Sequence, residues 1–116
     1  MKWLAGENFD NDILRGVLRR SSGFDVLRVQ DLPAIYRKGD PEMLLWATAN
    51  GRILLTHDLS TMIPALRIQL ERAAVCTPIV LVPDSLPIAL VIEEILLLDG
   101  CSLDSDWAAG VVYLPL

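Results

Sequence analysis

Ile79, Val80, Leu81 and Val82 follow Pro78 without a single polar residue among them. A strand that is apolar at every position has no face to give to water, so it must be covered on both sides. Ile53-Leu54-Leu55, inside the run Arg52 to Thr56, has the same character, and Lys2 to Ala5 is a short strand candidate whose last three residues are apolar. Strands of this kind belong to a parallel sheet sandwiched between helices, and the intervening segments carry helical periodicity. The chain therefore reads as an α/β domain with a mostly parallel central sheet of about five strands.

The arithmetic agrees with one such domain. The chain has 116 residues, 53% of them hydrophobic and 22% charged. Low hydrophobicity and high net charge, the signature of disorder, are both missing. No stretch approaches the ~18 unbroken apolar residues of a membrane span; Leu86 to Leu98 is interrupted by Pro87, Glu93 and Glu94. No secretory pattern opens the chain, and Cys76 and Cys101 stand in no metal-binding or redox spacing, so a cytoplasmic setting with free thiols is expected. The apolar excess is more than a domain this small buries easily, which predicts a self-association face and a homo-oligomer.

The elements can be placed in order. After the Lys2–Ala5 strand, Phe9, Ile13, Leu14, Val17 and Leu18 recur at helical spacing between Asn8 and Arg20, with Asp10 and Asp12 early and Arg15, Arg19 and Arg20 late. Asp25 to Gln30 reads as a second strand and Asp31 to Gly39 as a loop. Asp40-Pro41-Glu42 starts a helix, Asp40 as N-cap and Pro41 in the first helical position, and Gly51 ends it. The Arg52–Thr56 strand leads to a helix from about Ser60 to Arg72, where Pro64 is tolerable only near the first turn. The strand Pro78–Val82, a helix from Ile88 to Leu98 with Glu93 and Glu94 on its wet side, and a last strand from Gly110 to Leu114 complete the chain.

The net charge of -5 is unevenly spread. All 10 Lys and Arg lie between Lys2 and Arg72, and the remainder is free of bases. A polyanion would have to meet the first part, where Arg15, Arg19, Arg37 and Lys38 are the candidates to guide a phosphate backbone.

In a parallel sheet, ligands bind off the carboxyl ends of the strands. Gly6, Glu7 and Asn8 follow the first strand, Thr56, His57 and Asp58 follow the third, Asp40 opens the helix between them, and Asp104 and Asp106 precede the last strand. Carboxylates brought together need a raised pKa or a cation, and oxygen donors of this kind select Mg²⁺ or Mn²⁺. Two such ions can activate water and stabilise the leaving oxygen of a phosphodiester. Each residue also has a plain structural reading: Asp40 and Asp58 as helix caps, His57 as a satisfied polar side chain, Trp3, Trp46 and Trp107 as packing. The sequence holds no glycine-rich phosphate loop and no nucleophilic Ser pattern. A phospho-acceptor receiver domain would need a Lys after the last strand, and none lies beyond Arg72.

Leu4-Ala5-Gly6-Glu7-Asn8-Phe9 resembles the Leu-Ala-Asp-Glu-Asn-Phe opening of small PIN-like domain proteins. Further likenesses follow in order: Val29-Gln30-Asp31, Gly39-Asp40-Pro41-Glu42 running into Trp46-Ala47, Gly51-Arg52-Ile53-Leu54-Leu55-Thr56-His57-Asp58, Asp106-Trp107, and Val112-Tyr113-Leu114-Pro115. The resemblance implies a three-layer α/β/α fold and a Mg²⁺- or Mn²⁺-dependent ribonuclease. It further implies the toxin half of a toxin–antitoxin pair, VapC-like in chemistry, with a small and often DNA-binding antitoxin as partner. By position it assigns Asp40 and Asp58 as catalytic metal ligands, Glu7 and Asn8 as secondary or water-positioning groups, and Asp104 or Asp106 as a peripheral ligand. Thr56, His57, Arg15, Arg19, Arg37 and Lys38 would meet the RNA. One departure matters most: Gly6 stands where the resemblance implies a metal-binding Asp. That loss removes one charge from the cation cage, and little or no activity is expected of this chain. A PIN-like interaction module without catalysis, binding a small antitoxin-like partner, is the alternative.

Overall fold

The computed structural model describes residues 1–72, 76–101 and 110–116. Five strands form one wholly parallel sheet: β1 (Lys2–Ala5), β2 (Asp25–Arg28), β3 (Ile53–Thr56), β4 (Ile79–Leu81) and β5 (Val111–Tyr113), in the order β2-β1-β3-β4-β5. Four helices flank it: α1 (Asn11–Arg20), α2 (Asp40–Ala49), α3 (Leu59–Arg72) and α4 (Ile88–Cys101). This is the three-layer α/β/α arrangement.

Strand periodicity divides the core in two. Trp3, Ala5, Ile53, Leu55 and Val80 point to the side covered by α1 and α4, where they meet Phe9, Ile13, Val17, Val91 and Ile95. Leu4, Leu54 and Ile79 point to the other side and meet Leu44, Ala47, Met62 and Ala65 of α2 and α3. Every residue of β3 is buried, as its charge-free sequence demands. Cys76 packs in the second core, where burial pushes its thiol up and keeps it unreactive.

The structure revises several sequence-based boundaries. The second strand stops at Arg28, because Val29–Asp31 close into a 3-10 turn buttressed by an Arg28–Asp31 ion pair. Helix α1 starts at Asn11: Asp10 is its cap, accepting the Asp12 backbone N–H at 2.8 Å. Asp40 is not the cap of α2. Gly39, at φ 93° in a region where a side chain would be strained, takes that place and leaves Asp40 inside the first turn. Pro64 lies in the second turn of α3, beyond the first-turn position where it would be free of cost. Helix α4 runs on to Cys101, and Glu94 is half-buried, accepting the Leu116 N–H at 3.0 Å where a solvated side chain was expected.

Leu54, inaccessible to solvent in the central strand, should contribute more than any surface residue. Leu54→Ala should lower the unfolding free energy by about 2–5 kcal/mol in urea titrations; a loss below about 1 kcal/mol would contradict this account of the core.

Candidate active site

The strand order changes direction at β1: the chain moves to one side for β2 and returns to the other for β3. At such a point the loops leaving two adjacent strands diverge and leave a crevice at the carboxyl edge. Here β1 and β3 pair in register, Leu4 beside Leu54 and Ala5 beside Leu55, and the Gly6 N–H extends the ladder to Leu55 O at 2.9 Å. Gly6, Glu7 and Asn8 therefore emerge alongside Thr56, His57 and Asp58. Together with Asp40 and Arg37 they line a cleft of about 700 Å³.

Asp40 is half-buried at the mouth of α2, and its carboxylate has no hydrogen-bond or ion-pair partner among the described residues. Asp58 serves two ends. Its Oδ1 accepts from Ser60 Oγ at 2.9 Å and from the Thr61 N–H at 3.2 Å, which caps α3. Those bonds, the Ser60 hydroxyl foremost, hold its carboxyl below the ordinary aspartate value of 3.8. Glu7 turns its Oε1 to the backbone N–H of Arg37 at 2.6 Å, tethering the loop before α2, while Gln30 Nε2 donates to Glu7 O at 3.2 Å. The tether holds Arg37 in a left-handed conformation, φ 60°, with its guanidinium over the Tyr36 ring.

His57 is the hinge between three segments. Its Nε2 accepts the Asp10 N–H at 3.1 Å, so Nδ1 carries the proton and donates to Val82 O at 2.8 Å. The ring lies flat against Phe9, centroids 4.5 Å apart and planes 6° from parallel. Both nitrogens are spent inside the protein, as in the plain structural reading. Thr56 is likewise buried, its Oγ1 accepting the Asp58 N–H at 3.1 Å.

Gly6 is the informative position. It falls on the α2 side of the sheet with Leu4, two residues before it. A Cβ there would lie 3.4 Å from Leu55 O, 3.8 Å from Met43 Sδ and 4.0 Å from Thr56 Oγ1, all ordinary contacts. A Cβ at residue 6 is accommodated beside Met43 of α2. Its neighbour Glu7 does not substitute, since its carboxylate is tied to Arg37.

Other expected site residues are dispersed. Arg15 pairs with Asp12 beside a separate hollow near β2. Arg19 lies in the last turn of α1, which runs back toward the opposite edge of the sheet. Arg37 reaches the cleft; Lys38 is exposed next to it. Asp104 and Asp106 lie outside the described residues. Asp84 also lines the cleft, 3.4 Å from His57 Nδ1; Pro83-Asp84 lies just past Val82 at the end of β4, where the carboxyl-end rule applies equally.

In kind, the oxygen donors of Asp40 and Asp58 suit a hard divalent cation. In number they fall short: among the described residues, no group of three or more His, Cys, Asp or Glu side chains is placed to hold a metal ion.

Comparison with known proteins returned no matching family model, no matching curated protein and no matching solved structure.

The Asp58 cap carries a pH signature. Because the native carboxyl is depressed, its contribution is complete above the ordinary value of 3.8 and is lost as pH falls through the lower native value. Melting temperatures of the natural chain and Asp58→Ala should differ most from neutral pH down to about pH 5, and converge below about pH 3. A difference independent of pH would contradict the capping role.

Proposed function

We propose that this chain is a PIN-like ribonuclease scaffold of toxin type whose cation site is one carboxylate short. The observation that carries this reading is the geometry at Gly6: a vacant side-chain position on the cleft, beside uncommitted Asp40 and within the loop pair that presents Asp58. Asp40 and the free oxygen of Asp58 would hold Mg²⁺ or Mn²⁺, with Asn8 at the rim. The ion, when bound, supplies charge neutralisation for a phosphodiester and a more acidic water. The chain's own residues do the positioning. Glu7 fixes the loop that brings Arg37 to the cleft, and Arg37 offers its guanidinium to a phosphate. His57 locks the loop after β1 against the end of β4. The partners of this reading are RNA, a small antitoxin, often DNA-binding, and further copies of the chain, in the cytoplasm.

A second reading has its own support. Glu7 and Asp58 each commit an oxygen to internal bonds, which suits a PIN-like module that binds a partner without cutting RNA.

The two are separated by cleavage of RNA with Mn²⁺ present, comparing the natural chain with Gly6→Asp. The natural chain should show little or no cleavage, and the variant at least tenfold more, since loss of a group supporting a metal site commonly costs ~10–100-fold. A folded Gly6→Asp protein that binds Mn²⁺ by calorimetry yet leaves RNA intact would favour the binding module. Growth arrest on expressing the variant, relieved by a co-expressed small partner, would support the toxin role.

A further inference from the structure

Among the described residues, four carboxylates line the cleft, those of Glu7, Asp40, Asp58 and Asp84, and one guanidinium, that of Arg37. A guanidinium among acids ordinarily pairs with one of them. Arg37 does not: its side chain has no ion pair or hydrogen bond among the described residues. It rests instead over the ring of Tyr36, its central carbon 5.1 Å from the centroid, within cation–π range. Tyr36 stands in the loop before α2 and is 39% exposed.

Two devices place this side chain. Among the described residues Arg37 is the one non-glycine residue at positive φ, 60°. That left-handed backbone is costly for a residue with a Cβ and persists only where its surroundings hold it. Glu7 Oε1, accepting the Arg37 N–H at 2.6 Å, supplies the hold. The backbone bond sets where the side chain starts, and the Tyr36 ring sets where the guanidinium ends. An aromatic face attracts a guanidinium without accepting its N–H donors in conventional hydrogen bonds, so the planar fork stays free for an oxyanion. A carboxylate in place of the ring would hold the same group and use up those donors. Backbone strain, a cation–π rest and an unpaired cation among four acids have one joint consequence: a receptor organised before its anion arrives.

We propose that Tyr36 is the positioning residue of this receptor, holding the Arg37 guanidinium off the neighbouring carboxylates and ready for the non-bridging oxygens of a phosphodiester. The kind of anion rests on the RNA reading above; the clamp does not. Without the ring, the guanidinium falls onto the cleft acids, and RNA has to compete with them for it.

The test uses the full chain without added metal, its affinity for a short single-stranded oligouridylate read by fluorescence anisotropy. Arg37→Ala should weaken binding about tenfold and lower the slope of log affinity against log salt by about 0.7, one phosphate contact on a single strand. Tyr36→Ala should weaken it about threefold, the worth of an exposed cation–π contact, while Tyr36→Phe, which keeps the ring, should match the natural chain. In the Arg37→Ala background Tyr36→Ala should cost nothing more, since a positioning residue then has nothing left to position. In the free protein, the NMR signal of the Arg37 Nε–H should move on Tyr36→Ala and hold on Tyr36→Phe. An unmoved signal, or losses that add in the double variant, would overturn the clamp, while RNA binding by the natural chain left the ribonuclease reading standing. A signal that responds as stated in a natural chain that binds no RNA would overturn the phosphodiester assignment and that reading together.

Discussion

Leu4 and Leu54 lie side by side in the two central strands, both wholly inaccessible to solvent, and that pairing governs the rest of the molecule. Neither could shift by one residue without exchanging the contents of the two cores, since Trp3 and Leu55 face the opposite helix layer. Register held this firmly determines what leaves the sheet. The residues after Ala5 and those after Leu55 must emerge together, and the helices that follow them lie in different layers. The cleft between them is a consequence of topology, in place before any ligand is considered.

What keeps the cleft in shape is a small set of uncharged or internally committed polar groups. His57 ties the start of α1 to the end of β4 through its two nitrogens, and Glu7 ties the loop before α2 to the end of β1. These bonds close loops that would otherwise cost conformational entropy to order at the moment of binding. They also explain the chemistry left over. A carboxylate used to hold a loop or cap a helix is a poorer cation donor, so in the proposed function the weight falls on Asp40 and on the vacant side-chain position at Gly6.

Much of the fold was legible from residue patterns, because a strand apolar on both faces admits few architectures. Lys2–Ala5 was recognisable to the residue. Boundaries failed where a polar side chain competed for the backbone: Asp10 reads as part of a helix by composition but caps it, and Gly39 displaces Asp40 from the cap through a conformation no periodicity reveals. The candidate site was legible as a set of strand-end residues. Its arrangement was not, because whether Glu7 faces a cation or the Arg37 N–H depends on a loop thirty residues away. Arg15 and Arg19 show the converse error. Their charge suggested a role, while the direction of α1 carries Arg19 away from the carboxyl edge and Arg15 is engaged by Asp12.

Under the proposed function, a divalent cation acts at the switch point between β1 and β3. Paramagnetic broadening by substoichiometric Mn²⁺ in amide NMR spectra of the natural protein tests it most directly. Loss of signal should be centred on residues 6–8, 39–41 and 57–58, with the outer faces of the helices unaffected. Broadening centred instead on the exposed acids of α1, or spread evenly over the acidic surface, would contradict it.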